Sequence, residues 1–292
     1  MLSVIVLSNT LDDDIYKMNC ECFDSLLQSE GWEDNLEIVL LESNKKSSYS
    51  YKEQIKVIVP NEPFNFHRFL NIGVEATGSR FVALCNNDII FSKHWFTEIL
   101  KVKEHHLEFM CFSPLDRSYA TMSEELFPLQ NDYYIGWDNK YYFAAWCFVW
   151  ERKVFDIIGK FDETFNFYSA DDDELMTLRK YAIPNVLVPK SEVKHLSQVV
   201  TSKVDRISSP KITSKDKYPL TEKQIKRGLS WLWDDIRFYE AYFKMEEKWG
   251  NERTIRRINR LLDKYPFFRK RFITKILYNK KVNMLLSKIT NI

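Results

Sequence analysis

Apolar positions near the start of the chain come in short continuous runs separated by polar, helix-patterned stretches. Leu2–Leu7, Leu36–Leu41, Lys56–Val59 and Phe81–Cys85 are strand-length runs, of the kind expected of strands covered on both faces. Between them, helix periodicity is read around Ile15–Gln28 and Asn65–Ala76, the second ending near Gly78. Strands alternating with helices predict an α/β fold, Rossmann-like, with a mainly parallel sheet flanked by helices. Ligands on such sheets bind beyond the carboxyl ends of the strands. This directs attention to the loops Ser8–Thr10, Glu42–Asn44 and Asn86–Asp88.

Residues 109–150 are aromatic-rich and irregular, with strands expected near Met110–Phe112 and Tyr142–Trp150. A helix around Arg152–Ile158, a loop from Gly159 to Ala170, a helix opening on Asp171-Asp172-Asp173, and strands near Val186–Val188 and Glu192–His195 follow. Ser197–Pro219 reads as a loop or linker. Beyond it lies helix signal at 221–249, 251–264 and 267–289, broken by Gly250 and Pro266. The expected division is a catalytic domain over 1–215 and a basic helical extension over 216–292.

Charge supports that division. Residues 1–202 hold 19 Lys+Arg against 31 Asp+Glu, a net of −12, while residues 203–292 hold 23 against 10, a net of +13. A basic appendage on an acidic body points to an anionic partner. In Phe267–Ile289, apolar residues such as Phe268, Phe272 and Ile276 interleave with Arg269, Lys270, Arg271 and Lys275; Arg253, Arg256, Arg257 and Arg260 precede them. This pattern fits a helix packed on the body, a peripheral contact with anionic lipid, or a phosphate-contacting surface for nucleic acid. No apolar run approaches the ~20 residues that span a bilayer. Met1–Leu7 carries neither a basic leader nor a small-residue cleavage site and reads as a strand, so a cytoplasmic protein is expected. Five cysteines without paired CxxC spacing read as reduced thiols.

Three features could carry chemistry. Asn86-Asn87-Asp88 interrupts two apolar runs, and polar groups so placed need partners. It is either a turn with Asn side chains bonded to nearby backbone, or a carboxylate site for Mg2+ or Mn2+. Asp171-Asp172-Asp173-Glu174 is either an acidic helix start supported by the macrodipole, or a helix start that turns a general base toward a cleft. His195 follows a strand and is either a structural histidine or a metal ligand. No nucleophile elbow, GxxxxGK[ST] loop or HExxH is present, which removes the common hydrolase, ATPase and zinc-protease classes.

Taken in order, the set resembles the family 2 glycosyltransferases with the GT-A fold. Ser3–Thr10 resembles the family's opening strand and loop, and Glu37–Asn44 a second strand ending in an acid that contacts the nucleotide. Arg68–Gly73 followed by Phe81–Asp88 resembles the approach to the metal motif. Ile158–Phe165 resembles a GxFDExF segment before the catalytic acids, and Val193–His195 the strand carrying a metal-binding histidine. The match spans about 1–200.

The resemblance implies a metal-dependent, inverting transfer of a hexosyl or pentosyl unit from a nucleotide-sugar, with UDP as the family-level expectation. Asp88 and His195 would hold Mn2+ or Mg2+, and Asn86 stands where many members carry the first Asp of DxD. Ser8, Asn9, Glu42, Arg68, Asn71 and Asn87 would line the nucleotide site. The base would be Asp171 or Asp172, depending on alignment, with Asp172 favoured. The acceptor is expected to be a glycan or glycolipid. The alternatives are a DNA glycosyltransferase acting on hydroxymethylated bases, and a non-catalytic binding module on the same fold.

Overall fold

The computed structural model describes residues 1–32, 35–117, 130–136, 143, 145–196 and 211–289. The expected strand start at Tyr142 and the first part of the Ser197–Pro219 linker lie outside the described residues.

The chain begins with strand β1 (Leu2–Ser8), helix α1 (Asp13–Ser29), β2 (Leu36–Glu42), β3 (Ile55–Ile58), α2 (Phe66–Glu75) and β4 (Phe81–Asn86). These are the expected elements, with end shifts of a few residues. Their caps explain the boundaries. The side chains of Asp12 and Asn65 accept from the third backbone N–H of α1 and α2, at Ile15 and Arg68, and satisfy donors that helix starts leave free. A short β5 (Ile89–Phe91) and helix α3 (Trp95–His105) come next, and neither was marked by the sequence pattern. Then come β6 (Cys111–Leu115), β7 (Tyr134–Gly136), β8 (Cys147–Glu151), α4 (Lys153–Ile158), α5 (Ala170–Lys180) and β9 (Asn185–His195). The two late strands expected around Val186 and Glu192 are one continuous strand, with a register shift against β6 between Pro114 and Leu115.

Strand order is β3-β2-β1-β4-β8-β6-β9-β5, with β7 on β9. The expected parallel arrangement holds for β3-β2-β1-β4 and for β6-β9. Strand β8 enters between them antiparallel to both β4 and β6, and β5 and β7 pair antiparallel to β9. The continuous apolar run of β1 has a simple cause. Leu2, Val4 and Val6 join one core with Phe23, Leu26 and Trp95, while Ile5 and Leu7 join another on the opposite face with Phe69, Leu70 and Leu178. Alternate side chains of a strand leave on opposite faces, so covering both faces removes any polar alternation.

The C-terminal part is helical, as expected, but more broken. The stretch read as 221–249 is α6 (Glu222–Lys226), a 3-10 turn Leu229–Asp234, and α7 (Ile236–Trp249). Gly228 at φ +80° ends the first piece, and the Asp235 side chain caps α7 by accepting from Arg237 N–H. Helix α8 (Glu252–Lys264) matches its expected span. The stretch 267–289 is a short 3-10 turn at Pro266–Phe268, then α9 (Arg271–Leu277) and α10 (Lys280–Ile289), not one helix. Trp249, Ile255, Ile258, Leu262 and Tyr278 bury against Met176 of α5, and Thr274 Oγ1 donates to Lys180 O at 2.9 Å. Among the described residues no helix is long and apolar enough to cross a membrane.

Candidate functional site

Three loops at the carboxyl ends of β1, β2 and β4 are knitted together by hydrogen bonds. Ser43 N–H donates to Ser8 O at 2.9 Å. Glu42, 2% exposed, accepts from Thr10 N–H at 3.1 Å and from Asn44 N–H at 2.6 Å. Asn87 Nδ2 donates to Ser8 Oγ at 3.1 Å and to Asn19 Oδ1 at 2.7 Å. Asn19 in turn donates to Thr10 Oγ1 and Tyr51 Oη. Thr10, Asn19, Glu42 and Asn87 thereby have partners, and the loop positions are fixed by the network.

Strand β9 brings the histidine in. His195 lies opposite Ile89 in the β5–β9 pair, and Leu196 N–H donates to Asp88 O at 2.8 Å. His195 Nε2 consequently stands 3.2 Å from Asp88 Oδ1. The approach is close but not aligned as a hydrogen bond, and Asp88 Oδ1 is buried without a hydrogen-bond partner among the described residues, as is His195 Nδ1. Trp146 stacks on the imidazole at 5.2 Å, and Asp116 Oδ2 accepts His195 N–H at 2.9 Å. Asp116, 1% exposed, was missed by the sequence reading. Its signal was weak: Cys111–Leu115, interrupted by Ser113 and Pro114, runs into a carboxylate much as Phe81–Cys85 runs into the Asn86–Asp88 turn.

A cavity of about 310 Å3 opens over these residues. Ser8, Asn9, Ser43 and Asn86 to Asp88 form one wall, and Phe64, Phe66 and Asn166 to Tyr168 a second. The third wall is α7, through Arg237, Glu240, Ala241 and Lys244. The structure therefore brings together Ser8, Asn9, Asn86, Asn87 and Asp88 from the expected set, with His195 beside Asp88. Three other expected residues point elsewhere. Glu42 is spent on the Thr10 and Asn44 backbones. Arg68 pairs with Glu62 at 3.0 Å and Glu163 at 3.3 Å. Asn71 exchanges hydrogen bonds with the Phe161 backbone, both at 3.0 Å. Arg68 and Asn71 thus brace the Gly159–Thr164 loop and do not line the cavity.

The four acids of α5 split by direction, because successive helix positions diverge by about 100°. Asp173 and Glu174 turn inward. Asp173 accepts from Trp249 Nε1 and Lys248 Nζ, both at 2.8 Å. Glu174 sits 3.3 Å from His67 Nε2, both side chains fully buried. Burial pushes the Glu174 carboxyl up to about 7. For His67, burial works downward, but the Glu174 contact outweighs it and raises the imidazole. Asp171 and Asp172 remain half-buried. Burial raises Asp171, and burial together with the Asp171 charge pushes Asp172 up to about 6, while Ser169 works against the shift. Asp172 lines a second hollow, on the far side of α7 from Asp88.

The fold as a whole aligns with solved structures. Across 95% of the chain and 90% of the other, the structure aligns with S. aureus TarS residues 1–349, at 12% identity and a TM-score of 0.53. It aligns with GalNAc-T7, solved with UDP, GalNAc and Mn2+, over 91% of the chain at 12% identity and a TM-score of 0.52. The chain has the GT-A fold. The alignment covers 55% of the GalNAc-T7 chain, so this protein spans about half the length of that GT-A relative. A longer S. aureus TarS structure aligns over 70% of this chain and 38% of its own, at 14% identity and a TM-score of 0.50. No protein-family profile matches the sequence, and no curated protein matches it.

Proposed function

We propose that the chain is a glycosyltransferase that takes a sugar from a nucleotide-sugar, with residues 1–215 as its catalytic part and 216–292 as a helical part closing over it. The observation that carries this reading is Asp88 in the wall of the strand-end cavity, with His195 Nε2 3.2 Å behind it. The GT-A fold supports it, and the UDP and Mn2+ bound to GalNAc-T7 support a UDP-sugar and a divalent cation here.

The donor set fits a hard cation. A buried carboxylate oxygen with no hydrogen-bond partner beside an imidazole nitrogen is a pair that would hold Mg2+ or Mn2+. Asp88 Oδ1 and His195 Nε2 stand 3.2 Å apart without hydrogen-bond alignment. Among the described residues no group of three or more His, Cys, Asp or Glu gathers as a metal cage. Asp88 and His195 would thus be the protein's carboxylate and imidazole ligands, with Asn86 beside them. Such a cation, when bound, supplies positive charge beside the leaving diphosphate.

The remaining work falls to side chains. Ser8, Asn9 and Asn87 orient the nucleoside, and Lys244 of α7 places positive charge over the same cavity beside Arg237, which is paired with Asp235. Asp172 is the base that removes the proton from the acceptor hydroxyl. Its carboxyl near 6 is mostly ionised at neutral pH yet basic enough to take the proton. One base and one direct displacement invert the anomeric configuration. The test is incubation with a panel of nucleotide sugars and Mn2+, reading nucleotide release and transfer by mass spectrometry. Release from at least one donor, lost in excess chelator, is expected; no release from any donor would sink the proposal.

A further inference from the structure

Asp172 lines a hollow of about 450 Å3 between α5 and the C-terminal helices. Helix α7 is its partition from the first cavity. Positions 237, 240, 241 and 244 face one cavity, and 238, 242, 245, 246 and 249 face the other. At 3.6 residues per turn these two sets point roughly 130° apart. The cavities adjoin where the Tyr168 ring, in the first wall, packs on the Phe238 ring, in the second, with centroids 4.3 Å apart.

The second hollow is built from two kinds of surface. Trp231 and Phe238 stand in its wall 47% and 41% exposed, a large apolar area left facing water. Polar groups converge beside them: Asp172, Glu246 with Tyr242 Oη at 3.2 Å, and Arg256 paired with Glu252. Aromatic faces with a few convergent polar groups are the make-up of small-molecule sites.

We infer that this hollow is the acceptor site and that it takes a pyranose unit of a neutral glycan, an assignment that rests on the transferase reading above. A pyranose offers an apolar C–H face for the Trp231 and Phe238 rings and a rim of hydroxyls for the carboxylates and Arg256. The wall mixes the carboxylates Asp172, Glu246 and Glu252 with the guanidinium groups of Arg179 and Arg256, so neutral hydroxyls find both acceptors and donors, while a phosphate backbone would bring like charge against the three carboxylates. A sugar here would set a hydroxyl beside Asp172, on the side of the hollow that adjoins the donor cavity at Tyr168 and Phe238.

The experiment is saturation-transfer NMR on the full chain, using glucose, galactose, N-acetylglucosamine, N-acetylgalactosamine and their β-1,4-linked disaccharides as probes. At least one sugar is expected to bind, and Trp231→Ala is expected to weaken it tenfold or more while thermal melting confirms the fold. Trp231→Phe should recover most of the affinity. Phe272→Ala, at a side chain 76% exposed on α9 and outside this wall, should leave it unchanged. Absence of binding by every sugar, unchanged affinity in Trp231→Ala, or displacement of the sugar by a 20-base-pair DNA duplex would each overturn the assignment. The donor panel is read separately: sugar binding without nucleotide release fails the transferase reading and leaves the sugar site standing.

Discussion

Glu174→Gln should make the protein more stable, and by an amount that grows with pH. Glu174 is fully buried beside His67, and its carboxyl is raised from 4.5 to about 7, with burial as the main cause. A raised folded-state pKa means that the folded chain holds the proton more tightly than the unfolded one. The resulting stabilisation is present in full below pH 4.5 and is lost as pH rises through 7. Integrating proton linkage between those two values gives a loss of about 1 kcal/mol at pH 5 and about 3 kcal/mol at pH 8. His67, also raised, contributes with the same sign. Glutamine has nearly the same shape, can donate its amide N–H to His67 Nε2 while His67 Nδ1 donates to Asp162 O, and does not titrate. The stability difference between variant and wild type should therefore widen by about 2 kcal/mol or more between pH 5 and 8, or roughly 4–8 °C in melting temperature for a chain of this size. Melting followed by circular dichroism at pH 5, 6, 7 and 8 measures it. A difference that stays flat to within a degree across that range would refute the buried-carboxylate account.

Three further outcomes follow from the same geometry. With Asp172 as base, kcat/KM should fall as pH drops through about 6 and level off above it; Asp172→Asn should remove that limb and cut kcat by roughly 10²–10⁴-fold, read by nucleotide release. Asp88→Ala should lower nucleotide-sugar turnover by at least about 100-fold and remove its dependence on added Mn2+, with the melting temperature showing that the fold is kept. Gly250 adopts φ +91°, and a Cβ there would lie 2.5 Å from Asn283 Oδ1, the atom that accepts Asn251 N–H. Gly250→Ala should destabilise the chain by about 2 kcal/mol in urea unfolding, since positive φ and a side-chain clash both oppose it.

The parts of the site that the sequence made legible are those whose signal is local. Phe81–Cys85 buries both faces, so its apolar run stops abruptly at the turn, and Asn86 to Asp88 stand out against it. His195 was marked by its place after a strand, and β9 pairs with β5 to deliver it. The parts that stayed hidden depend on contacts between distant elements. Arg68 and Asn71 are polar positions on an amphipathic helix, and nothing local distinguishes a helix face turned toward a ligand from one turned toward the Gly159–Thr164 loop. The four acids of α5 look alike in sequence; partners at positions 67, 248 and 249 separate the inward pair from the half-exposed pair. Arg237 and Lys244 read as ordinary charges of a basic extension, because their place over Asn86–Asp88 arises from packing across some 150 residues of chain.

Helix α7 is a wall of both cavities, and this has a thermodynamic consequence. Any shift of α7 on filling one cavity would also change the shape of the other, which would couple the two occupancies. Binding free energies are reciprocal: a nucleotide that tightens the second cavity severalfold is itself held tighter, by the same factor, once that cavity is filled. A single helix of 14 residues would thus couple the two occupancies equally in both directions, whichever ligand binds first.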